Sequence, residues 1–212
     1  MNPRVSALGD SAITLTFGDE IGETLNDLVV ARARNISAAN LAGVLDVVPA
    51  YASLTVHYDP CRIAYSDLVA QLETAREKTA LPALTPRAAH VIPVRYDGED
   101  LNEVAGRLAL DVNEIISIHS AREYRVFVIG FVPGFAYLGP LDERLVLPRR
   151  PAPRKRVPPG SVAIAEAQTG VYPSATPGGW HLIGTTDVRM FDTAREKPAL
   201  LSAGDRVKFV QS

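Results

Sequence analysis

The sequence predicts a small α+β domain with the element order ββαββα, followed by a mainly-β barrel domain. Residues 1–78 alternate short strands with two amphipathic helices, which favours a sheet covered by helices. Residues 125–184 instead repeat brief apolar runs between closely spaced Gly and Pro, a pattern typical of closed β-structures with tight turns. Residues 79–89 contain two prolines and little periodicity. We therefore predict a linker there, with domains at residues 1–84 and 85–212.

The first domain is predicted from simple apolar periodicities. Alternation predicts strands at residues 4–8, 12–17, 44–49 and 53–58. Helical spacing predicts one helix at 21–41, stopped by Gly43, and another at 65–78, begun by Ser66 or Asp67. Nothing in this domain clusters catalytic residue types, and His57 lies in an alternating strand, which favours a structural role.

The second domain begins with a strand and two short helices and continues as turn-rich β-structure. Helices are predicted at 101–110 and 113–121, with Asp100 and Asp111 as caps. Strands are predicted at residues 91–96, 124–130, 161–165, 180–185 and 206–210. His119 lies near the end of the second helix, where a helix-end cation, a core residue and a ligand contact all remain open.

Composition excludes several functional classes. The 212 residues are 47% hydrophobic and 22% charged with a net charge of −2, which gives no general attraction to nucleic acid or to an anionic membrane. No apolar run approaches the ~20 residues of a membrane helix, and the N-terminus lacks signal-peptide character. We expect a cytoplasmic protein.

The sequence also lacks several catalytic and metal-binding signatures. There is no G-x-S-x-G elbow and no glycine-rich phosphate loop, and Cys61 is the single cysteine. The histidines occur singly, without a paired metal-binding spacing, at His57, His90, His119 and His181. We expect no metal site.

Aromatic residues concentrate around a Pro-Gly turn in the second domain. Pro133, Gly134 and Phe135 are flanked by Phe131 and Tyr137. Glycine lets a backbone approach a ligand closely, and an adjacent aromatic ring can form a pocket wall.

A second motif places Trp180, the one tryptophan of the chain, directly after Gly178 and Gly179. The same logic makes this motif a candidate pocket wall, and at Gly179 we expect added bulk to block close approach of the backbone. The structural alternative is a simple Gly-Gly turn followed by a core tryptophan.

A basic segment lies between the two aromatic motifs and comprises Arg149, Arg150, Arg154, Lys155 and Arg156. These cations could bind phosphate or carboxylate, form a solvated loop, or form salt bridges to a partner. Interleaved prolines and the lack of aromatics argue against a nucleic-acid platform. The acidic candidates are each compatible with surface positions: Asp142, Glu143 and Glu166.

Four ordered motifs carry a family resemblance. They are F-x-P-G-F-x-Y-L, PR…PR-x-x-V-P-x-G-S-V-A-I, Q-T-G-V-Y-P and P-G-G-W-x-L-I-G, all between His119 and Phe209. Together they resemble the family of the 5-oxoprolinase B subunit, whose members are also labelled allophanate hydrolase subunit 1 or KipI-type kinase inhibitor.

The resemblance implies a cyclophilin-like barrel and a chain that is inactive alone. It also implies that the chain functions in a complex with two partners. One is a second cyclophilin-like subunit of the C type (the allophanate hydrolase subunit 2 type), and the other is a third subunit of the A type. Such a complex uses ATP to open 5-oxoproline to glutamate, and direct contact of ATP with this chain stays open. An inhibitor that binds a sensor histidine kinase through the barrel is the alternative, and a free-standing prolyl isomerase is a third.

We expect the aromatic, glycine and arginine residues of these motifs to form one substrate pocket. Its predicted members are Phe131, Pro133, Gly134, Phe135, Tyr137, Gln168, Tyr172, Gly178, Gly179 and Trp180, with Arg149 or Arg154 at the mouth and His119 joining from the preceding helix. No catalytic residue is assigned.

Overall fold

The computed structural model describes residues 2–78 and 89–212. The chain forms two compact units, Met1–Pro86 and Arg87–Ser212. Most of the linker predicted at residues 79–89, and the boundary predicted after residue 84, lie outside the described residues. No helix in the described part of the chain is long and apolar enough to cross a membrane.

The N-terminal unit is an antiparallel sheet with two helices. Its described elements are β1 (Arg4–Ala7), β2 (Ala12–Thr16), α1 (Glu23–Ala38), β3 (Val44–Pro49), β4 (Ser53–Tyr58) and α2 (Tyr65–Lys78). The strands are ordered β1-β2-β4-β3. Because strand side chains alternate, Ile13 and Leu15 of β2 share a buried face with Leu54 and Val56 of β4. Both helices pack on that face, as the ββαββα order predicts.

The predicted bounds of α1 are too long. The helix begins at Glu23, after an extended Gly22, and ends at Ala38, well before Gly43. Asn40 has a φ of 45°, a left-handed conformation that ends the helical path before the predicted stop. Helix α2 has the predicted bounds, Tyr65–Lys78, so Ser66 and Asp67 lie in its first turn and do not precede it.

The C-terminal unit is a nearly closed, cyclophilin-like β-barrel with few helices. Its described elements are β5 (His90–Val94), α3 (Leu101–Leu108), α4 (Val112–Ala121), β6 (Glu123–Ile129), β7 (Ala136–Gly139), a 3-10 helix (Glu143–Leu145), β8 (Arg154–Val157), β9 (Ser161–Ala165), β10 (Gln168–Val171), β11 (Thr176–Gly178), β12 (His181–Thr185) and β13 (Arg206–Gln211). Within residues 89–212, seven strands follow the order β12-β9-β10-β7-β6-β13-β5, and β8 pairs separately with β11.

A short bridge joins the two ends of this sheet. Arg95 lies just after β5, and its backbone N–H donates a hydrogen bond to the carbonyl of Thr185 in β12 at 2.9 Å. The Thr185 N–H donates to the Arg95 carbonyl at 2.7 Å. The apolar interior is filled by side chains from all around the sheet, including the fully buried Tyr124, Leu138 and Phe209. The barrel is therefore a packed core and not a pore.

The two predicted helix caps differ. Asp111 caps α4 through a capping box, since its carboxylate accepts from Glu114 N–H at 2.8 Å and the Glu114 carboxylate accepts from Asp111 N–H at 2.9 Å. The prediction that Asp100 caps α3 is wrong, because its side chain makes no cap hydrogen bond. Its carboxylate instead accepts from Leu182 N–H of β12 at 2.7 Å.

Candidate functional site

Phe135 is the centre of a cluster of aromatic rings at one part of the barrel. Its ring centroid lies 4.9 Å from that of Tyr137, 5.2 Å from Tyr172 and 5.5 Å from Trp180, each in an edge-on arrangement. Phe131 joins at 5.7 Å. These geometries are the ones that aromatic quadrupoles favour, so the rings form a rigid wall.

The turn before Phe135 is fixed by close packing. Gly134 has a φ of +81°, and a Cβ there would lie 2.7 Å from Cβ of Phe191, so no other residue fits without displacement. Hydrogen bonding closes the turn, with Gly130 N–H donating to the Phe135 carbonyl at 3.0 Å. The turn holds Phe131 at a φ of 69° and 60% exposed, an uncommon conformation for a bulky residue.

The two glycines before Trp180 differ in what they require. A Cβ at Gly178 would overlap the Tyr172 hydroxyl, whereas one at Gly179 would meet Pro153 at an ordinary 3.7 Å. The Gly179 carbonyl accepts a hydrogen bond from Arg150 N–H at 2.8 Å. Within the chain the sterically critical glycine is therefore Gly178. The expected effect of added bulk at Gly179 on a ligand stays a prediction.

These elements surround a cavity of about 180 Å³, here called the aromatic cavity. It is lined by Phe131, Phe135, Tyr137, Arg149, Pro153, Tyr172, Pro177, Gly178, Gly179 and Trp180. Eight of the predicted pocket residues therefore come together. Pro133 and Gly134 lie in the adjoining turn, and the lining does not include His119, Arg154 or Gln168.

Pro153 and Pro177 belong to the quoted motifs but were not among the predicted pocket residues, and both line the cavity. Both are apolar and directly precede residues that were candidates, Arg154 and Gly178. Their position next to these candidates is the sequence feature that could have identified them as wall residues.

The basic segment divides into cations with different surroundings. Arg154 pairs with Asp100 at 2.5 Å and through Nε with Glu99 at 2.7 Å, and Arg150 pairs with Asp100 and Glu103, each at 2.8 Å. The Asp100 side chain is only 4% exposed. Of the predicted alternatives, Arg149 or Arg154, only Arg149 is among the described lining residues, and the Arg154 guanidinium is held by two carboxylates.

Arg149 is the cation of the aromatic cavity. Among the described residues it forms no ion pair, unlike Arg150 and Arg154. Burial raises the pKa of Tyr137 and of Tyr172 above the ordinary value, and the positive charge of Arg149 partly offsets that rise. Both phenols thus stay protonated at neutral pH and can donate hydrogen bonds near Arg149.

His119 belongs to the barrel core and not to the cavity. It is fully buried, with Nε2 at 2.9 Å from Thr169 Oγ1 and Nδ1 at 2.8 Å from the Tyr96 hydroxyl. Thr169 donates its proton to the Ala163 carbonyl at 3.0 Å, so His119 must donate through Nε2 and accept through Nδ1. Its ring stacks on Phe209 at 4.7 Å. Burial lowers the pKa of His119 to about 3, which keeps the ring neutral.

The remaining candidates lie outside the cavity lining. Gln168 is half-buried at the start of β10 and is engaged in an interaction within the chain. Asp142 accepts from Arg144, whose hydrogen bonds lower the pKa of that carboxyl to about 2. Glu166 lies in the β9–β10 turn with a φ of 51°. Within residues 2–78 and 89–212, no group of three His, Cys, Asp or Glu side chains is placed to hold a metal ion.

The similarity to known proteins extends over almost the whole chain. The family model for the carboxyltransferase domain, subdomain C and D, matches residues 3–201. The 5-oxoprolinase B subunit of Bacillus subtilis (strain 168) is 41% identical over 98% of this chain and 92% of its own length. The protein of the same name from Escherichia coli O157:H7 is 38% identical, covering 98% of this chain and 95% of its own.

A solved structure agrees with the fold. The crystal structure of TTHA0988 superposes with a TM-score of 0.88 at 42% identity, over 95% of this chain. This chain spans 40% of that longer polypeptide. On the family model and on relatives matched along nearly their full length, this chain belongs to the family of the 5-oxoprolinase B subunit.

Proposed function

We propose that this chain is a non-autonomous subunit of an ATP-dependent 5-oxoprolinase complex, which opens 5-oxoproline to glutamate. The names of its relatives support the assignment to such a complex. The observation that carries the proposal is the make-up of the aromatic cavity. Its described lining consists of aromatic rings, prolines, glycines and one arginine, without a carboxylate, imidazole, thiol or amine. Such a wall can bind a small anionic ring but offers no acid–base pair for its hydrolysis.

The chemistry of 5-oxoproline matches this wall. The molecule is a five-membered lactam that bears one carboxylate, and a guanidinium can hold a carboxylate through two parallel hydrogen bonds. In the proposed complex Arg149 binds that carboxylate while the ring methylenes contact the faces and edges of the aromatic side chains. The protonated hydroxyl of Tyr172 can donate a hydrogen bond to the lactam carbonyl.

The cavity does not fit ATP. Its volume of about 180 Å³ is below the roughly 300–1,000 Å³ of pockets for drug-sized ligands. Arg150 and Arg154, the neighbouring cations, are already paired with carboxylates. The sequence also has no glycine-rich phosphate loop. We therefore assign nucleotide binding to the partner subunits.

Partner subunits must then supply the chemical step. A lactam carbonyl is a poor electrophile, so its opening requires activation of the carbonyl oxygen, a water nucleophile and a proton donor for the leaving nitrogen. We assign these tasks to a second cyclophilin-like subunit of the C type and to a third subunit of the A type. TTHA0988 is longer, and this chain corresponds to 40% of it. This difference in length supports the proposal that the chain functions together with further subunits.

The decisive experiment compares two arginine variants in the reconstituted complex. Arg149→Met should raise KM for 5-oxoproline by about 10- to 100-fold, since a hydrogen bond to a charged group contributes about 1.5–3 kcal/mol. Arg156→Met removes an exposed cation of the same segment and should leave KM unchanged. Glutamate formation and ATP hydrolysis are measured together. An unchanged KM in Arg149→Met would remove the carboxylate-binding role.

A second experiment tests dependence on partners. The purified chain should hydrolyse neither 5-oxoproline nor ATP, and adding both partner subunits should produce activity. Sustained turnover by the chain alone would contradict the proposal. Copurification from the native host separates it from the inhibitor alternative, because recovery of a sensor kinase without metabolic subunits would favour inhibition.

A further inference from the structure

A second arginine-bearing cavity lies in the N-terminal unit, between the β1–β2 hairpin and both helices. Its volume is about 200 Å³. It is lined by Asn2, Pro3, Val5, Leu15, Phe17, Arg32, Ile36, Val69, Leu72 and Glu73. Its floor is interior to the unit, because Leu15, Phe17, Ile36 and Leu72 are each at most 5% exposed. We call it the aliphatic cavity.

Arg32 is the unusual member of this lining. It lies in the middle of α1, one turn before Ile36, so the helical period places both on the cavity side. It is only 9% exposed, although arginine is rarely buried without polar partners. Arg32 already takes part in an interaction within the chain. Its guanidinium has five N–H donors, so a second acceptor can also be accommodated.

The combination of walls restricts the chemistry of an occupant. Arginine favours carboxylate or phosphate, which match its planar fork. A phosphate would place its remaining charged oxygens against Leu15, Phe17 and Leu72, where burial without hydrogen bonds is costly. A carboxylate on a hydrocarbon body satisfies both the guanidinium and the apolar floor. The volume equals about seven waters at ~30 Å³ each, which suits a short acid.

The mouth of the cavity adds selectivity. Asn2 and Glu73 are exposed, so the second charge of the lining lies at the solvent side. A dicarboxylate would have to place its second anionic group either on the apolar floor or beside Glu73. Both positions are unfavourable, by desolvation and by like-charge repulsion respectively.

We propose that the aliphatic cavity binds a short monocarboxylate, with the carboxylate on Arg32 and the hydrocarbon body on the apolar floor. This site is separate from the aromatic cavity and does not depend on the function proposed for it.

Three six-carbon probes test the proposal on the full chain. Hexanoate, 1-hexanol and adipate are titrated, and binding is followed by calorimetry and by NMR of the methyl groups of Val69 and Leu72. We expect hexanoate to bind at least tenfold more tightly than either other probe. Equal affinity for hexanoate and hexanol would overturn the pairing with Arg32. Absence of saturable hexanoate binding in the millimolar range would overturn the site itself.

Variants locate the binding. Arg32→Met should reduce hexanoate affinity at least tenfold and leave hexanol unchanged, whereas Arg34→Met, an exposed cation of the same helix, should change neither. Val69→Phe fills the cavity while keeping Arg32 and should abolish binding of all three probes. Should Arg32→Met fail to fold, Val69→Phe decides alone, because hexanoate binding retained in it would overturn the proposal.

Discussion

The surroundings of a buried charged residue differ between the two units. In the C-terminal unit, the buried carboxylate of Asp100 is matched by Arg150, Arg154 and the backbone N–H of Leu182. In the N-terminal unit, Arg32 is buried in the wall of a cavity whose floor is otherwise apolar. The first arrangement fixes the chain segment next to Arg149. The second leaves room beside the charge. We therefore expect the charge of Asp100 to stabilise the scaffold and the charge of Arg32 to be able to take part in binding.

The units also differ in how closely their backbones pack. In the barrel, Gly134 and Gly178 allow contacts that a single added carbon would prevent. No glycine is among the described residues that line the aliphatic cavity. We therefore expect added volume to be harmful in the aromatic region and tolerated in the aliphatic one.

The largest loss of stability is expected from a substitution at Asp100. Asp100→Ala leaves two arginines and the Leu182 N–H without their buried acceptor, which should cost about 3–5 kcal/mol of unfolding free energy. Trp180 lies in the barrel unit, so its fluorescence during urea unfolding reports the change. Asn102→Ala, an exposed change in the adjoining helix α3, is the control and should cost little. Similar losses in both variants would show that the buried network is not a scaffold.

A smaller loss is expected from added volume at Gly178. Gly178→Ala places a carbon against the Tyr172 hydroxyl and should destabilise the barrel by about 1–3 kcal/mol. Gly179→Ala makes only ordinary contacts and should stay within about 0.5 kcal/mol. Urea unfolding of the pair measures the contrast, and equal effects would contradict the assigned close approach.

The core histidine should make the barrel sensitive to acid. The pKa of His119 is lowered to about 3 in the fold, against about 6.5 when unfolded, so between these values the unfolded chain binds the extra proton. Stability should therefore fall as the pH drops from about 6.5 towards 3, by up to about 1.4 kcal/mol per pH unit. His119→Gln should lose this component of the slope. A variant that keeps the full slope would exclude His119 as its source.

The smallest loss of stability is expected from a conservative substitution next to the aliphatic cavity. Ile→Val changes typically cost about 0.5–1.5 kcal/mol. Ile36→Val should fall at the low end, because one side of Ile36 already faces the cavity, whereas the fully packed Ile164→Val should fall at the high end. Amide hydrogen exchange in each unit provides the measurement. A larger loss at Ile36 would indicate that the cavity is closed in solution.

Local periodicity explains which elements are predictable. The bounds of β4 and α2 agree with the prediction, because their apolar spacing follows one period throughout. Those of β3 agree as well, although its pairing shifts register between Val44 and Asp46. Strands β7 and β11 are not predicted individually, since they are short and contain Gly or Pro. Such strands depend on partners distant in the sequence for their pairing, which a local pattern does not contain.

The aromatic residues of the candidate site can be predicted from the sequence, but the roles of its charged residues cannot. Phe135, Tyr172 and Trp180 come from motifs in which aromatics adjoin glycine or proline, and they meet as the motifs suggest. The roles of Arg149 and Arg154 cannot be separated from the sequence, because Asp100 lies 54 residues before Arg154 in the chain. Asp100 itself has the local signature of a helix cap, which hides its pairing with the distant arginines.

The pairing of β5 with β13 has a consequence for folding during synthesis. Strand β5, the first of the barrel to leave the ribosome, pairs in parallel with β13, the last, through partners from His90 with Val207 to Val94 with Gln211. The barrel therefore cannot complete its sheet until β13 has been synthesised, whereas the N-terminal strands have their partners close by in the sequence. Pairing across such a sequence separation delays folding and prolongs exposure of strand edges. The nascent barrel, and not the N-terminal unit, is the part of this protein that a chaperone would need to shield.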